Sequence, residues 1–529
     1  MTTRIITAII LLVLAAAAAT PSAAATFKWA NDGDANSMDP YTRNETFLLT
    51  FTQNIYDPLV RRNRDLKIEP ALATRWEKPS PTIWRFHLRP GVKFQEGQPF
   101  TADDVIFSYQ RAIGPGSQLN AYFATVKEVR RIDDRTVEFE TKVPDPIFLE
   151  RLTNWLIMSK AWAEVHNAVQ PVDLTKGVEN YATRHANGTG PFLLGIREPD
   201  RRTTLTNNPN WWDKPEHNLT DVQFNVIANA ATRVSALLAG DIDMIYTVPP
   251  QDMDRISKTK GLRLIQGAEL RTIFLGFDQN RDVLVKSDVT GKNPFKDRRV
   301  RQAFYEAIDV NAIQARIMRG QSHPTGLMYG PGINGYTAAG DKRYPYDPNH
   351  AKKLLAEAGY PSGFTVTMDC PNDRYVNDEA ICQAVTAMLA RIGIKIDLVA
   401  QTRLKYFAEI LNPRYNTSFY LLGWTPATYD AHDAFFNLAG SRNGTRGVFN
   451  NGGYANPKFD TLIDDIAVET DAAKRQRMVE AASRILHEDV AYVPLHQQNV
   501  VWATRTTIEL RQLADNTFPL RYVRVKPAP

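Results

Sequence analysis

The stretch "EAICQAVTAMLARIGIKIDLVA", Glu379 to Ala400, holds a helical pattern followed by an extended one. Ile381, Val385, Met388, Leu389 and Ile392 fall at i, i+4, i+7, i+8 and i+11, the apolar stripe of one helix. Gly393 comes next, where a helix ends most easily in the left-handed region. Ile394, Ile396 and Leu398 then alternate with polar neighbours, the period of a strand. "TRVSALLAGDIDMIYTV" repeats the plan, with Val234, Leu237 and Leu238 on one stripe, Gly240 as the stop and an extended run from Ile242 to Val248. A third helix is expected over "DRRVRQAFYEAIDVNAIQARIM", capped by Asp297 and burying Val300, Phe304, Ala307 and Ile308. Helices alternating with strands in this way predict α/β lobes.

The chain is 529 residues long, beyond the ~100–200 residues served by one hydrophobic core, so two or three lobes are expected. Between about Lys67 and Gly190 the texture changes to short alternating strands around turns, as in "TIWRFHLRPGVKF" and "RTVEFETKVP". This α+β segment reads as a subdomain inserted in the first lobe.

Residues 1–25 stand apart. Arg4 precedes the apolar run Ile5 to Ala19, then Pro21 and the small residues Ala23, Ala24 and Ala25, the layout of a cleaved secretory signal peptide. The run is shorter than the ~20 residues of a spanning helix. An exported, periplasmic protein is expected. The net charge of +5, or +4 without Arg4, is spread without blocks of like charge, which gives nucleic acid no basic stripe to bind. Cys370 and Cys382 are the two cysteines, and a pair this close in an oxidising compartment reads as a disulfide. No further ligand stands near them at zinc spacing, so no metal is expected. No cofactor is expected either.

Seven blocks carry a resemblance. "LRPGVKFQEGQPFTADDVIFSYQRA" (Leu88 to Ala112) is similar to the signature of family 5 extracellular solute-binding proteins, the periplasmic oligopeptide/dipeptide-binding type. "GTGPF" (Gly188 to Phe192), "NPNWW" (Asn208 to Trp212), "VRQAFYEAID" (Val300 to Asp309) and "YPYDPNHAKKLLAEAGYPSGF" (Tyr344 to Phe364) continue it. "GYANPKFDTLI" (Gly453 to Ile463) and "AYVPLHQQNVVWA" (Ala491 to Ala503) complete it in the family's order.

The resemblance implies an α/β, bilobal periplasmic-binding-protein type II fold of the large cluster, with an extra subdomain in the first lobe. The first lobe would comprise 26–66, 190–270 and 498–529, the subdomain 67–189 and the second lobe 271–497. The chain would cross between lobes near Arg271–Phe277 and Val493–Val501, the hinge of closure. A monomer is expected, capturing a peptide or other small solute and delivering it to an ABC permease in the inner membrane, with no nucleic-acid partner.

In the same resemblance "LLGWT" (Leu421 to Thr425) lines the cleft: Gly423 for close backbone approach, Trp424 as a flat wall or as core packing at a strand end, and Thr425 beside them. Peptide-binding members carry an aspartate two residues after the Gly-Trp-Thr, which holds the ligand's α-ammonium. Here that place falls within Pro426-Ala427-Thr428, and the next acids are Asp430 and Asp433. Either acid is a candidate for the ligand's cation, with helix capping or solvation as the alternative. Arg374 lies in the same region where dipeptide-binding relatives present a basic residue to the ligand carboxylate, which arginine's planar fork suits, with a solvated loop arginine as the alternative and Tyr375 beside it as a comparable candidate. Asn36 and Ser37 are the first-lobe candidates, in a loop where Asp39-Pro40 builds the turn.

"GPGING" (Gly330 to Gly335) satisfies G-x-G-x-x-G literally, but no helix begins on it and it reads as a loop. Asp103-Asp104 and Asp464-Asp465 read as helix-start caps or solvated faces. No catalytic residues are expected. An exported hydrolase using Asp430 and Asp433 is the competing reading, without a nucleophile and base to support it. A receptor-coupled role, chemosensory or chaperone-like, would use the same lobes. A di- or oligopeptide is the default solute, with an N-blocked peptide, an opine-like conjugate, an oligosaccharide or a metal chelate as alternatives.

Overall fold

A computed structural model describes residues 25–527, so the leader reading falls outside the described residues except at Ala25. Two long antiparallel strands, Leu262–Phe277 and Tyr492–Arg505, form the spine. Leu262–Ala268 pairs with Asn499–Arg505, and Thr272–Gly276 pairs with Tyr492–Gln497. One half of the molecule grows from the outer edge of each strand. Met244–Ile245, Thr26–Asn31, Asp221–Val226, Arg202–Asn207 and Phe192–Glu198 follow on one side. Phe419–Trp424, Thr365–Pro371 and Lys395–Gln401 follow on the other. The residues expected to carry the chain across lie on the two spine strands.

The helix–strand alternation stands where periodicity placed it. The stripe from Ile381 to Leu389 is the buried face of helix Asp378–Ala390, and Gly393 takes φ +89° before strand Lys395–Gln401. Helix Ala230–Ala239 ends on Gly240 at φ +91°, and its stripe buries Val234 and Leu237. Asp297 caps helix Arg298–Ala307 by accepting from the Arg299 amide at 2.8 Å. That helix does not continue to Met318 as one element. Ile308 is extended, and Asp309 starts a new turn by accepting from the Ala312 amide at 2.9 Å. An aspartate side chain satisfies a first-turn amide better than a mid-helix position does, so the apolar period runs through a break it cannot report.

The segment from residue 67 to 189 builds a four-stranded antiparallel sheet, Ala73–Ser80, Ile83–Leu88, Thr136–Thr141 and Val126–Asp133 in spatial order. Helix Ala102–Ile113 packs beside it on a capping box between Thr101 and Asp104. Trp84, Phe86 and Phe139 belong to the same buried cluster as Phe27 and Trp29, so this segment shares the core of the half that surrounds it. In the other half the sheet is covered on both faces. Ile273, Leu275, Phe277, Phe419 and Leu421 face one cluster, while Phe274, Tyr420 and Leu422 face another. This two-sided burial explains the unbroken apolar run before Gly423.

The Cys370–Cys382 disulfide is formed, with Cα atoms 6.6 Å apart. It ties the end of strand Thr365–Pro371 to helix Asp378–Ala390 across the 372–377 loop. Replacing both buried cysteines with alanine is expected to lower the unfolding free energy by roughly 3 kcal/mol, the chain-entropy value for a loop of about a dozen residues. Urea unfolding curves measure this, and an unchanged midpoint would remove the bridge from the stability of the loop.

Candidate ligand cleft between the halves

Strand Phe419–Trp424 is buried from Phe419 to Leu422 and partly exposed at Gly423 and Trp424. Along one edge all six residues pair with Thr272–Phe277. Along the other, only Phe419 and Tyr420 meet a strand, opposite Met368 and Asp369. Beyond Tyr420 that edge is met by side chains: the Tyr406 hydroxyl donates to the Leu421 carbonyl and the Tyr375 hydroxyl to that of Gly423, at 3.4 Å. A β-carbon on Gly423 would stand 2.7 Å from the Tyr375 ring and 2.8 Å from Ile273 Cδ1, which is why glycine occupies the position.

Trp424 is half-buried against Phe449, and its indole N–H donates to Asp433 Oδ1 at 2.8 Å. Thr425 Oγ1 accepts from Arg271 Nε at 3.1 Å. Arg271 Nη2 lies 3.3 Å from Glu269 Oε1, and its guanidinium stands 5.8 Å from the centre of the Tyr375 ring. The Gly-Trp-Thr motif is thus linked through Arg271 to the spine strand.

Arg374 is held by its backbone. Its amide and those of Tyr375 and Glu379 all donate to the Asp378 carboxylate at 2.9 Å. Burial pushes the Asp378 carboxyl up to about 6, although these three bonds oppose it. The disulfide anchors both ends of the same loop. The Arg374 guanidinium makes no hydrogen bond or ion pair with the described residues and stands 5.3 Å from the Tyr375 ring. Burial acts against its charge, and Tyr375, Glu45, Glu269 and Asp32 favour it. Glu45 and Asp32 belong to the opposite half.

Among the described residues the halves touch at several places. The Arg403 side chain lies against Gly33. Tyr429 reaches the other half, where its hydroxyl donates to Asp515 and the Arg62 guanidinium stands 3.6 Å from its ring centre. Beside it Asn154 Nδ2 donates to the Ala427 carbonyl at 3.4 Å, so the 426–429 segment contacts the 67–189 segment.

Two candidates read from sequence turn out to be structural. Asp430 is fully buried, and its oxygens accept from Arg475 Nη1 and Nη2 at 2.7 and 2.8 Å and from the His432 amide at 2.9 Å. A carboxylate so engaged has little left for a ligand cation, and Asp430 caps the Ala431–Ala434 turn. Ser37 is likewise buried. Its hydroxyl accepts from the Asp39 amide at 3.0 Å and donates to the Asp39 carbonyl, while Asp39 pairs with Arg111 through two 2.7 Å bonds. Asn36 is exposed, at φ +62°. Arg271 and Glu269 were missed. Both lie on the spine strand Leu262–Phe277, and nothing local in the sequence marks their side chains as partners of each other or of Thr425.

Asp433 titrates near 6 because it is buried, above the roughly 3.9 of an unfolded aspartate. Between those values the folded chain holds the extra proton, so this contribution to stability is complete below about pH 4 and lost as pH rises through about 6. His432, pushed down to about 4 by burial, works in the opposite direction over the same window, losing stability as pH falls. Asp433→Asn isolates the first effect. Relative to the parent it is expected to gain about 2–3 kcal/mol between pH 4 and pH 7, read from urea unfolding at both values. A constant difference would return Asp433 to the ordinary aspartate range.

Two long strands joining two α/β halves are the architecture of a bilobal solute-binding protein. The chain belongs to the bacterial extracellular solute-binding proteins, family 5, whose middle region matches residues 67–446. It is 26% identical over 476 residues to the glutathione-binding protein GsiB of Shigella flexneri serotype 5b, covering 88% of each chain. It is 27% identical over 469 residues to heme-binding protein A of Haemophilus influenzae, covering 84% of this chain and 82% of that one. Among solved structures it resembles the ABC transporter-associated periplasmic binding protein DppA from Helicobacter pylori in complex with the peptide STSA. The TM-score is 0.82 at 26% identity, over 95% of this chain and 98% of that one. Among the described residues no helix is long and apolar enough to cross a membrane, and no group of three acidic, histidine or cysteine side chains could hold a metal.

Proposed function

We propose that this protein is the periplasmic substrate-binding component of an ABC importer, capturing a short peptide or peptide-like solute with an anionic group and passing it unchanged to an inner-membrane permease. The observation that carries this reading is the Arg374 fork, without an ion pair among the described residues, on a loop fastened by Asp378 and the disulfide. A fork of this kind takes a carboxylate in bidentate fashion. The strand edge beyond Tyr420 offers backbone groups to an extended ligand, and Trp424 offers it a wall. Relatives named for glutathione, haem and a peptide support the solute class without choosing within it. Closure would draw the halves together about the two spine strands, with Gly33–Arg403 and Tyr429–Asp515 as contacts of the closed form.

Native mass spectrometry on protein purified from its own host tests the reading. The expected result is a stoichiometric, chemically intact solute bearing a carboxylate. A neutral sugar would overturn the anionic class, and product accumulating on addition of the solute would indicate catalysis.

A further inference from the structure

Tyr429 is bulky and buried, yet its backbone is left-handed at φ +57°. That conformation costs free energy for a residue with a β-carbon and persists only where the surroundings over-determine it. Here they do. The Tyr429 amide donates to the Pro426 carbonyl at 3.1 Å, closing a turn, and the Tyr429 carbonyl accepts from the Asn334 amide at 2.8 Å. The Asn334 carbonyl in turn accepts from the Ala431 amide at 3.0 Å. Asn334 belongs to "GPGING", and a β-carbon on Gly335 would stand 3.2 Å from that of Ala431, so this loop braces the 426–429 segment from within the second half.

The brace holds out a side chain that ends in the other half, on groups set in advance. Asp515 Oδ1 accepts from the Thr517 amide at 2.9 Å and from Thr517 Oγ1 at 2.8 Å, which leaves Oδ2 to accept from the Tyr429 hydroxyl. Arg62 Nη1 donates to the Leu66 carbonyl at 2.7 Å, and that bond steadies the guanidinium over the Tyr429 ring. The Ala427 carbonyl is taken by Asn154. Each half thus fixes its own share by local hydrogen bonds, and the two surfaces meet with little left to order.

From this we infer that the 426–429 segment is a latch, which fastens the closed form through Tyr429 whether or not a solute is present. The Tyr429 hydroxyl and the Ala427 carbonyl are spent on the first half, so neither is left for a solute. The latch sets how much of the solute-free protein is closed, and apparent affinity scales with that fraction. Weakening it therefore weakens every solute by one factor, whereas losing a residue that touches the solute discriminates among them. The inference rests on the closure of the halves proposed above and adds to it a part that owes nothing to the solute.

The test needs no identified solute. Cys370 and Cys382 are bridged to each other, so cysteines introduced elsewhere take a thiol label selectively. Spin labels at Arg201→Cys in the first half and Lys353→Cys in the second, where the native side chains are 77% and 72% exposed, report the separation of the halves by double electron–electron resonance. The protein is measured as isolated from its own host and again after dialysis from urea has stripped its solute. The stripped parent is expected to keep a population at the separation of the as-isolated protein. Tyr429→Phe, which keeps the ring and loses the hydroxyl, should lower the ratio of closed to open molecules about tenfold, the worth of a hydrogen bond to a charged group. Asn154→Ala should lower it by a smaller factor. Two populations in a ratio that neither variant moves, or a stripped parent open throughout, would overturn the latch and leave the proposed function standing. One separation shared by the as-isolated, stripped and variant proteins would overturn closure, and the proposed function with it.

Discussion

Arg374→Ala is expected to weaken binding of an anionic peptide-like solute by about 2–4 kcal/mol, roughly thirty- to several-hundred-fold in Kd, without lowering the unfolding temperature. The size follows from the geometry of the loop. The guanidinium makes no hydrogen bond or ion pair with the described residues, so its removal breaks none of these in the folded chain. Its backbone is fastened separately, through the Asp378 carboxylate and the disulfide, and both survive the substitution. On the proposed function, the solute's carboxylate alone loses a partner, in a site that closure would shield from water. Arg374→Lys should recover only part of the affinity, because an ammonium offers charge without the planar fork. Calorimetry on the three proteins decides the matter, and an unchanged Kd in Arg374→Ala would take the residue out of the site.

Asp430→Ala is expected to show the opposite pattern: a loss of about 3–5 kcal/mol of stability with the Kd of the folded fraction unaltered. The Asp430 side chain is fully buried and the Arg475 side chain 12% exposed, and removing the carboxylate leaves a largely buried guanidinium without its counter-charge. The cap on His432 is lost at the same time. Urea unfolding gives the first quantity and calorimetry below the transition the second. A large loss of affinity at unchanged stability would restore Asp430 to the ligand. The two substitutions together separate a residue the fold requires from one it leaves free for a guest.

What the chain announces locally came through. Periodicity located helix Asp378–Ala390 and strand Lys395–Gln401, and glycine stops marked Gly240 and Gly393. "GPGING" is a loop, with Gly332 and Gly335 in the left-handed region, and the paired acids Asp103-Asp104 begin a helix. Cys370 and Cys382 are bridged. Each of these rests on interactions within about a dozen residues, where spacing alone decides which groups can meet.

The partners of buried charge were beyond that reach. Asp430 resembles a candidate ligand for a cation until Arg475, 45 residues later, is seen to occupy it. Ser37 reads as a polar loop residue until Asp39, bonded to Arg111 of the inserted segment, turns it inward. The bulge of the spine strand at Glu269–Arg271 has no glycine or proline to signal it, because it arises from the register of a strand more than two hundred residues away. By itself, then, the sequence determined the α/β alternation, the family and the loop that bears Arg374. The tertiary structure alone decided which carboxylates are spent, since a salt bridge forms wherever packing brings opposite charges together, whatever their distance along the chain.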